Sequence, residues 1–169
     1  ATAFVVTTWL MLFIADWLAL NSNLPAASAD QNNEFFAIGQ GVGQVIFQGN
    51  WLTGLIFLIG IGLHSRSAAA WALMGSAIGL ITARCLGFPD DLVNSGLYGF
   101  NAVLTAIALA GRFPKEVVLP LVGIVLSGVI TRAFQLDDLP SLTAPFILSA
   151  WLITLLVMFW PNQQKVADL

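Results

Sequence analysis

The chain has 169 residues, of which 58% are hydrophobic and only 9% are charged. Soluble domains carry about 25% charged residues, so this composition excludes a soluble protein and favours a polytopic membrane protein without a soluble domain. The net charge of −3 and the scattered basic residues give no basis for binding nucleic acid. The one cysteine, Cys85, excludes an intrachain disulfide and a cysteine metal cluster. No residue spacing suggests a metal site or a cofactor site.

Apolar runs suited to membrane helices recur along the chain. They occupy residues 1–20, 51–63 with the segment before it, 68–82, 97–110, 117–131 and 143–160. Several are shorter than the roughly 20 residues that cross a hydrocarbon core. The short runs predict helices that neighbours bury or helices that go only part-way across. The first run lacks the basic start of a signal peptide, and Asp16 and Trp17 interrupt it.

Connectors with turn chemistry separate these runs and orient the chain. They lie at residues 21–34, 64–67, 87–96, 111–116 and 135–141. If successive connectors alternate sides, one side receives four basic residues, namely Arg66, Arg112, Lys115 and Lys165. The other side receives two arginines, Arg84 and Arg132, and most of the acidic residues. Because basic residues favour the cytoplasmic side, we expect the C-terminus to be cytoplasmic.

A weak internal repeat predicts how the chain is organised. The segment FVVTTWLM at 4–11 matches FILSAWLI at 146–153 in its pattern of aromatic, aliphatic and small residues. Five predicted connectors separate the copies, so they would run in opposite directions, as in an inverted repeat. We therefore expect residues 1–20 to be the last transmembrane helix of a preceding repeat, 21–33 a polar connector, 34–162 a complete half-repeat and 163–169 a cytoplasmic tail. The rest of the first repeat would lie elsewhere in the same chain or in another chain.

The segment GQGVGQVIFQGN at 39–50 places amides where a membrane helix is normally apolar. Gln40, Gln44 and Gln48 recur every fourth residue, which predicts one polar face on a helix. Gly43 and the other glycines favour close helix approach and an early helix end, which Asn50 would cap. The last carbonyls of such a half-helix lack backbone donors and would form a row of acceptors lining a pore for a small polar molecule. The alternative is a glutamine and glycine seam between packed helices.

A second unusual segment is NSGLYGFNAVL at 94–104. Gly96 and Gly99 flank an aromatic residue, and Phe100 and Leu104 lie four residues apart on one helical face. Asn101 is suited to satisfying backbone groups where the chain enters the membrane. The alternative for the Phe and Leu pair is ordinary core packing.

The third segment is LDDLPSLTAPF at 136–146. Pro140 and Pro145 are expected to leave backbone acceptors free, because proline has no N–H to donate. Thr143 places a hydroxyl at the predicted start of a helix. The alternative is simply a proline and threonine helix start without a binding role.

Together the three segments resemble the urea transporter family. GQVIFQGN at 43–50, GLYGFNAVL at 96–104 and DLPSLTAPF at 138–146 are similar to its motifs, in the same order across about 34–160. The resemblance implies an all-α polytopic membrane protein with an inverted-repeat, urea-channel-like fold and a tilted re-entrant half-helix in each half. Family members commonly form homotrimers in which each protomer has its own pore. This chain matches the second half-repeat plus the preceding helix, and at 101–104 it has Asn-Ala where many members have Asn-Gly.

The resemblance also implies roles for individual residues. Gln44 and Val45 would sit on the half-helix, Phe47 at one mouth of the selectivity filter, and Thr143 at the pore centre. Phe100 and Leu104 would form the other wall. Structural positions at the pore would be Gly43, Asn50, Gly96, Gly99, Asn101, Pro140 and Pro145.

These groups suit urea, which is planar, uncharged and rich in N–H donors. Phe47 and Phe100 would shape a flat slot, while Gln44 and free carbonyls would accept the urea N–H groups and Thr143 would bridge the centre. Weak contacts at several sites favour both binding and release. No buried carboxylate pair suggests ion coupling, so we expect passive flux down the urea gradient.

Other functions remain open on the sequence. One alternative is a channel for other small neutral solutes, such as short amides, ammonia or water. A second alternative is a non-conducting structural membrane subunit. An enzyme is not expected, because the single histidine, His64, and the aspartate pairs lie in predicted connectors. We expect a multi-pass protein of a bacterial inner membrane or a plasma membrane, with urea, small amide analogues and lipid as its partners.

Overall fold

The computed structural model describes residues 2–18, 34–46, 48–137 and 139–159. This part of the chain forms eight α-helices and one 3-10 turn, and contains no strand. The helices are α1 (Thr2–Trp17), α2 (Glu34–Gly43), α3 (Trp51–His64), α4 (Arg66–Cys85), α5 (Asp90–Asn94), α6 (Leu97–Arg112), α7 (Val118–Leu136) and α8 (Ala144–Phe159). The 3-10 turn, Gln44–Ile46, follows α2 directly. The predicted connector at 21–33, the tail at 163–169 and Phe47 lie outside the described residues.

Two helices, α4 and α7, are long and apolar enough to cross a membrane. α2 and α3 together also pass this test, but they are bent by 68° at the break between them. Shorter apolar helices lie within α1, α6 and α8. The described residues therefore form an all-helical membrane protein, as the composition predicted, with one broken pair where the sequence predicted a half-helix.

α6 lies at the centre of the described bundle and packs against α2, α4, α7 and α8. Small residues make this close packing possible. α4 contributes Ala72, Gly75, Ser76 and Gly79, and α6 contributes Gly99, Ala102 and Ala106, all of them buried. Small residues allow helix backbones to approach closely in a membrane, so a helix as short as α6 is covered by its neighbours, as the short apolar run predicted.

The connectors around α4 combine confirmed and corrected predictions. Between α3 and α4, one residue serves both helices: the Ser65 N–H donates to the Ile61 carbonyl (2.7 Å), and the Ser65 hydroxyl accepts from the Ala68 N–H (3.2 Å). This confirms the tight connector predicted there. The connector predicted at 87–96 instead contains α5, a single short helix whose first turn is acidic.

α7 continues further than predicted, through Leu136 rather than to residue 131. Thr131 is buried and its hydroxyl donates to the Ser127 carbonyl within the helix (2.8 Å). The helix α7 therefore continues past its polar residue Thr131, which lies on the buried face, and does not end there. The connector that follows therefore runs from 137 to 143, two residues later than the predicted 135–141 segment.

The loop after α4 and the end of α7 lie at the same end of the bundle. Arg84 pairs with Asp90 and donates to the Asn94 side chain (2.7 Å). The Arg132 guanidinium lies over the Phe88 ring, 5.7 Å from its centre. Both arginines thus lie where alternation of the connectors predicted them, on one side.

Candidate functional site

The three segments that the sequence singled out meet at one cavity of about 310 Å³. The cavity lies where the 3-10 turn after α2, the start of α6, the end of α7 and the connector before α8 come together. Its lining residues are Gln44, Leu97, Phe100, Gln135, Leu139, Pro140, Ser141 and Leu142. This volume is large enough for one small polar solute with several waters.

Gln44 is held at the cavity by a hydrogen bond from its side chain. Its Nε2 donates to the Ser95 carbonyl at 2.5 Å. Since a carbonyl accepts and cannot donate, this contact commits the nitrogen end of the amide to the loop before α6. The Oε1 of this side chain is therefore the end that stays available as an acceptor, the role that the resemblance predicts for Gln44.

The predicted polar face of the half-helix is wrong beyond Gln44. α2 ends at Gly43, where the chain tightens so closely that a Cβ would lie 2.5 Å from the Gln48 carbonyl. Gln48 consequently lies outside the helix, and its N–H donates to the Gly43 carbonyl at 3.1 Å. This carbonyl is thus not one of the free acceptors predicted there. Gln40 is buried in α2, and its Oε1 has no hydrogen-bond partner among the described residues.

Asn50 caps a different helix end from the one predicted. Its side chain accepts from the Leu52 N–H at 2.8 Å, so it caps the start of α3 and not the end of α2. The physical reason is its extended backbone, with φ −117° and ψ 128°, which is the usual conformation of an N-cap residue.

Phe100 and Asn101 are neighbours in the buried first half of α6, and their side chains have different roles. Phe100 is 7% exposed and lines the cavity. Asn101 is fully buried, its Nδ2 donates to the Leu142 carbonyl (3.0 Å), and its Oδ1 accepts from the Phe146 N–H (3.2 Å). Asn101 therefore satisfies backbone groups at the start of α8, as its position predicted.

The start of α6 requires glycine at two positions. Gly96 has a φ of +78°, in the left-handed region, and a Cβ there would lie 2.5 Å from the Gly41 nitrogen. A Cβ on Gly99 would lie 2.8 Å from the Ser76 hydroxyl and 3.0 Å from the Gly41 Cα. Both glycines let α2 approach α6 and so place Gln44 beside Phe100.

The connector before α8 does not leave its acceptors free, which corrects the prediction from its prolines. The Pro140 carbonyl accepts from Trp9 Nε1 (2.9 Å), and the Ser141 carbonyl accepts from the Ala144 N–H (3.0 Å). The Thr143 carbonyl accepts from the Ile147 N–H (3.2 Å). Pro145 lies in the first turn of α8, where a missing N–H costs no helical hydrogen bond.

Three of the predicted pore residues that the structure describes do not line the cavity. Val45 packs against an apolar cluster formed by Val42, Ala72 and Val103. Leu104 lies one turn beyond Phe100 and is half-buried. The Thr143 hydroxyl oxygen is buried without a hydrogen-bond partner in the described structure. Phe47 lies outside the described residues.

The sequence reasoning missed Gln135 and Tyr98. Gln135 lines the cavity from the last turn of α7, and the Tyr98 hydroxyl donates to its Oε1. A signal for Gln135 is present, because Ser127, Thr131 and Gln135 recur every fourth residue on a helix whose one other polar residue is Arg132. The predicted connector at 135–141 conceals this signal, because it separates Gln135 from the helix.

Known proteins match this chain over most of its length. A family model described as "Urea transporter" matches residues 1–158. Urea transporter 1 of Ovis aries is 33% identical over 134 residues, which are 75% of this chain and 35% of the relative. Urea transporter 1 of Rattus norvegicus is 33% identical over 130 residues, 72% of this chain and 34% of the relative. For Urea transporter 1 of Mus musculus, the match is 41% over 73 residues, 43% of this chain and 19% of the relative.

The chain thus spans about a third of the length of the first of these relatives. The family match, by contrast, includes all four parts of the chain that meet at the cavity: the 3-10 turn after α2, the start of α6, the end of α7 and the connector before α8. It includes the three polar segments at 43–50, 96–104 and 138–146. On this evidence the chain belongs to the urea transporter family.

Proposed function

We propose that this chain contributes one half of a passive urea channel. The observation that carries the proposal is the cavity of about 310 Å³ that brings Gln44, Phe100 and the 139–142 connector together. Three segments that are distant in sequence contribute polar or aromatic side chains or backbone to this one cavity. Members of the urea transporter family are channels rather than enzymes, and a mainly apolar cavity that carries a few polar side chains between membrane helices suits that function.

The polar groups of the cavity suit a neutral solute rich in N–H donors. The Gln44 Nε2 is bound to the Ser95 carbonyl, so the Oε1 of Gln44 is the group that accepts a urea N–H. Phe100 supplies a flat apolar wall, against which a planar solute lies with little loss of volume. In our proposal Phe47 completes this slot on its other side.

Thr143 is the second proposed contact for urea. Its hydroxyl is buried without a partner in the described structure, and such groups are rare unless a ligand or water meets them. Leu142, the residue before it, lines the cavity. We assign Thr143 to the narrow centre of the complete pore, with Leu104 as the next apolar wall. Val45 holds the turn after α2 in place through its apolar cluster.

A complete channel requires more than this chain. We propose that residues 1–20 end a first half-repeat, that 34–162 form the second, and that 21–33 and 163–169 are the connector and the cytoplasmic tail. Complete protomers would form a homotrimer in a plasma membrane or a bacterial inner membrane. The many exposed apolar side chains of α3 and α8, such as Ile56, Leu63, Trp151 and Phe159, would face lipid or other parts of the assembly.

The proposal is tested by urea flux in the complete protein. Full-length protein is reconstituted in vesicles, and urea uptake is followed by stopped-flow light scattering. Phe100→Trp enlarges the cavity wall and should lower urea permeability at least about tenfold, because a well-packed site lacks room for the larger ring. Phe57→Trp is the matched control, since Phe57 packs in the apolar cluster away from the cavity. It should retain most of the flux.

The other possible functions predict different outcomes. A well-folded protein that passes no urea would overturn the proposal and favour a structural subunit. Equal permeability to urea, water and ammonia, unaffected by Phe100→Trp, would indicate a pore for small solutes that does not use this cavity. Formamide and acetamide uptake by the same vesicles measures how far selectivity extends to short amides.

A further inference from the structure

Gln135 lines the cavity and carries a buried hydrogen-bond donor that has no partner among the described residues. It lies in the last turn of α7 and forms part of the cavity wall. Its Oε1 accepts from the Tyr98 hydroxyl, whereas its Nε2 is buried and unpartnered among the described residues. An unmet donor in a buried position is unfavourable, so it indicates a group that binds there when the cavity is occupied.

One hydrogen bond decides which end of the Gln135 amide faces Tyr98. The Tyr98 hydroxyl donates its single proton to the Gln135 Oε1. An amide oxygen only accepts, so Nε2 is the end of the Gln135 amide that is left free.

Packing keeps Tyr98 in place. Tyr98 is 1% exposed, and its ring lies 5.0 Å from that of Phe88. Phe88 in turn lies under the Arg132 guanidinium. The Gln135 side chain itself is only half-buried. Because the terminal torsion of a glutamine is soft, a modest rotation turns the amide nitrogen toward a solute in the cavity while Oε1 keeps its contact with the Tyr98 hydroxyl.

Gln44 and Gln135 then complement each other across the same cavity. The nitrogen of Gln44 is committed to the Ser95 carbonyl, and the oxygen of Gln135 is committed to Tyr98. One amide therefore offers an acceptor and the other offers a donor. A solute that carries both N–H groups and a carbonyl oxygen satisfies both.

We propose that Gln135 is a specificity-determining residue that donates its amide N–H to the carbonyl oxygen of a urea or amide solute, and that Tyr98 is the residue that positions it. The inference rests on the proposed urea conduction through this cavity. It adds selection for the carbonyl end of the solute to the selection for N–H groups by Gln44.

The test compares urea with thiourea, whose sulfur is a weaker acceptor than the urea oxygen. Full-length protein in vesicles is assayed for both permeabilities. Gln135→Leu should lower urea permeability about tenfold and thiourea permeability less than about twofold, because only the stronger acceptor loses a good hydrogen bond. Ser127→Ala is the control, since the Ser127 hydroxyl is buried in α7 but bonded to its own helix at Ile124 (2.8 Å). It should leave the urea-to-thiourea ratio unchanged.

The outcomes separate this inference from the proposed function. If the unmodified protein passes no urea, the proposed function fails. If it passes urea but Gln135→Leu lowers both permeabilities equally, Gln135 has a structural role and the inference is wrong.

Tyr98→Phe provides a second test that keeps the volume of the ring. Removing the hydroxyl releases the Gln135 amide, so the urea-to-thiourea ratio should fall by about twofold to fivefold. In the Gln135→Leu background, Tyr98→Phe should cause no further change in the ratio. An equal effect in both backgrounds would show that Tyr98 acts independently of Gln135 and would overturn its assignment as a positioning residue.

Discussion

Asn101 shows how a single buried amide connects two helices around the candidate site. Its side chain donates to the Leu142 carbonyl and accepts from the Phe146 N–H. Leu142 has a φ of +45°, which is uncommon for a residue with a side chain. The amide thus holds an unusual turn in place where the connector before α8 reaches the cavity.

We expect Asn101→Leu to destabilise the protein by roughly 1 to 4 kcal/mol, because it leaves a buried carbonyl and a buried N–H without partners. Thermal unfolding in detergent measures the loss. Gln48→Leu makes the same kind of change at an exposed position, and it should shift the midpoint little. Equal shifts for both variants would contradict the role assigned to Asn101.

Removal of the Thr143 hydroxyl should have opposite effects on the stability of the protein and on its urea permeability. Thr143→Val keeps the shape and removes a buried hydroxyl that has no partner, so stability should stay the same or rise by about 1 kcal/mol. Urea permeability should fall about tenfold, which corresponds to about 1.4 kcal/mol of lost interaction. Thr143→Ser retains the hydroxyl and should retain most of the flux. A loss of stability with unchanged flux would show that the hydroxyl is structural.

At the scale of the helices, the junction of α2, α4 and α6 decides where Gln44 lies. Gly41 and Gly99 face each other across the junction, and a Cβ on either would lie 3.0 Å from the Cα of the other. The Ser76 hydroxyl from α4 donates to the Ile38 carbonyl at 2.8 Å. The three helices are therefore held together by backbone proximity and one polar contact, in a place with no room for larger side chains.

Gly99→Ala should destabilise the protein by about 1 to 3 kcal/mol, because the added methyl group overpacks this junction. It should also lower urea flux, since separation of α2 from α6 displaces Gln44 from Phe100. Gly60→Ala is the matched control: Gly60 lies in α3 with open space around its Cα. This control should raise stability by about 0.5 to 1 kcal/mol through helix propensity. Detergent unfolding and vesicle flux on both variants check the prediction.

At the scale of the whole molecule, much of the surface of the chain is apolar, as expected of a surface that contacts lipid or other protein. Large apolar side chains are exposed along α1, α3 and α8, among them Phe13, Ile56 and Phe159. Two further apolar grooves, of about 480 and 390 Å³, open on the surface. The chain also spans about a third of the length of Urea transporter 1 of Ovis aries. These features agree with a pore that requires a second half.

We therefore expect no urea flux in vesicles that contain this chain alone, and fast flux with the full-length protein at equal protein density. The physical reason is that Phe100 and Gln44 line a cavity on one side, whereas a continuous pore needs an enclosing wall. Flux from the isolated chain, sensitive to Phe100→Trp, would contradict the need for a second half.

The orientation in the membrane follows from charge and is testable by cysteine labelling. In a background without other reactive cysteines, including Cys85→Ser, Lys115→Cys should react with an impermeant thiol reagent only after the cells are opened. Asp91→Cys should react in intact cells, because the basic connectors are expected to be cytoplasmic. Both residues are exposed. The reverse pattern would place the C-terminus outside.

The sequence predicted the helical elements and the three segments of the site because these depend on local information. Apolar runs, prolines and glycines determine where helices form and where they end. Asn101 was recognised for the same reason, since a buried amide beside a helix start has few other roles. The sequence was less informative where side chains choose among distant partners. Gln48 does not lie on the predicted helical face, because the helix ends at Gly43 and the chain turns tightly after it. Asn50 caps the start of the following helix, α3.

What the sequence by itself determined is therefore the class of protein, the family and the segments that carry polar groups into the bundle. Only the tertiary structure decided which groups meet and which ends of their amides stay free. It brought Gln135 to the cavity and Tyr98 into contact with Gln135. It also occupied the carbonyls of Pro140 and Ser141 with donors from elsewhere in the bundle and from α8. The physical reason is that hydrogen-bond partners are chosen by three-dimensional proximity and donor direction, and neither is set by spacing along a chain.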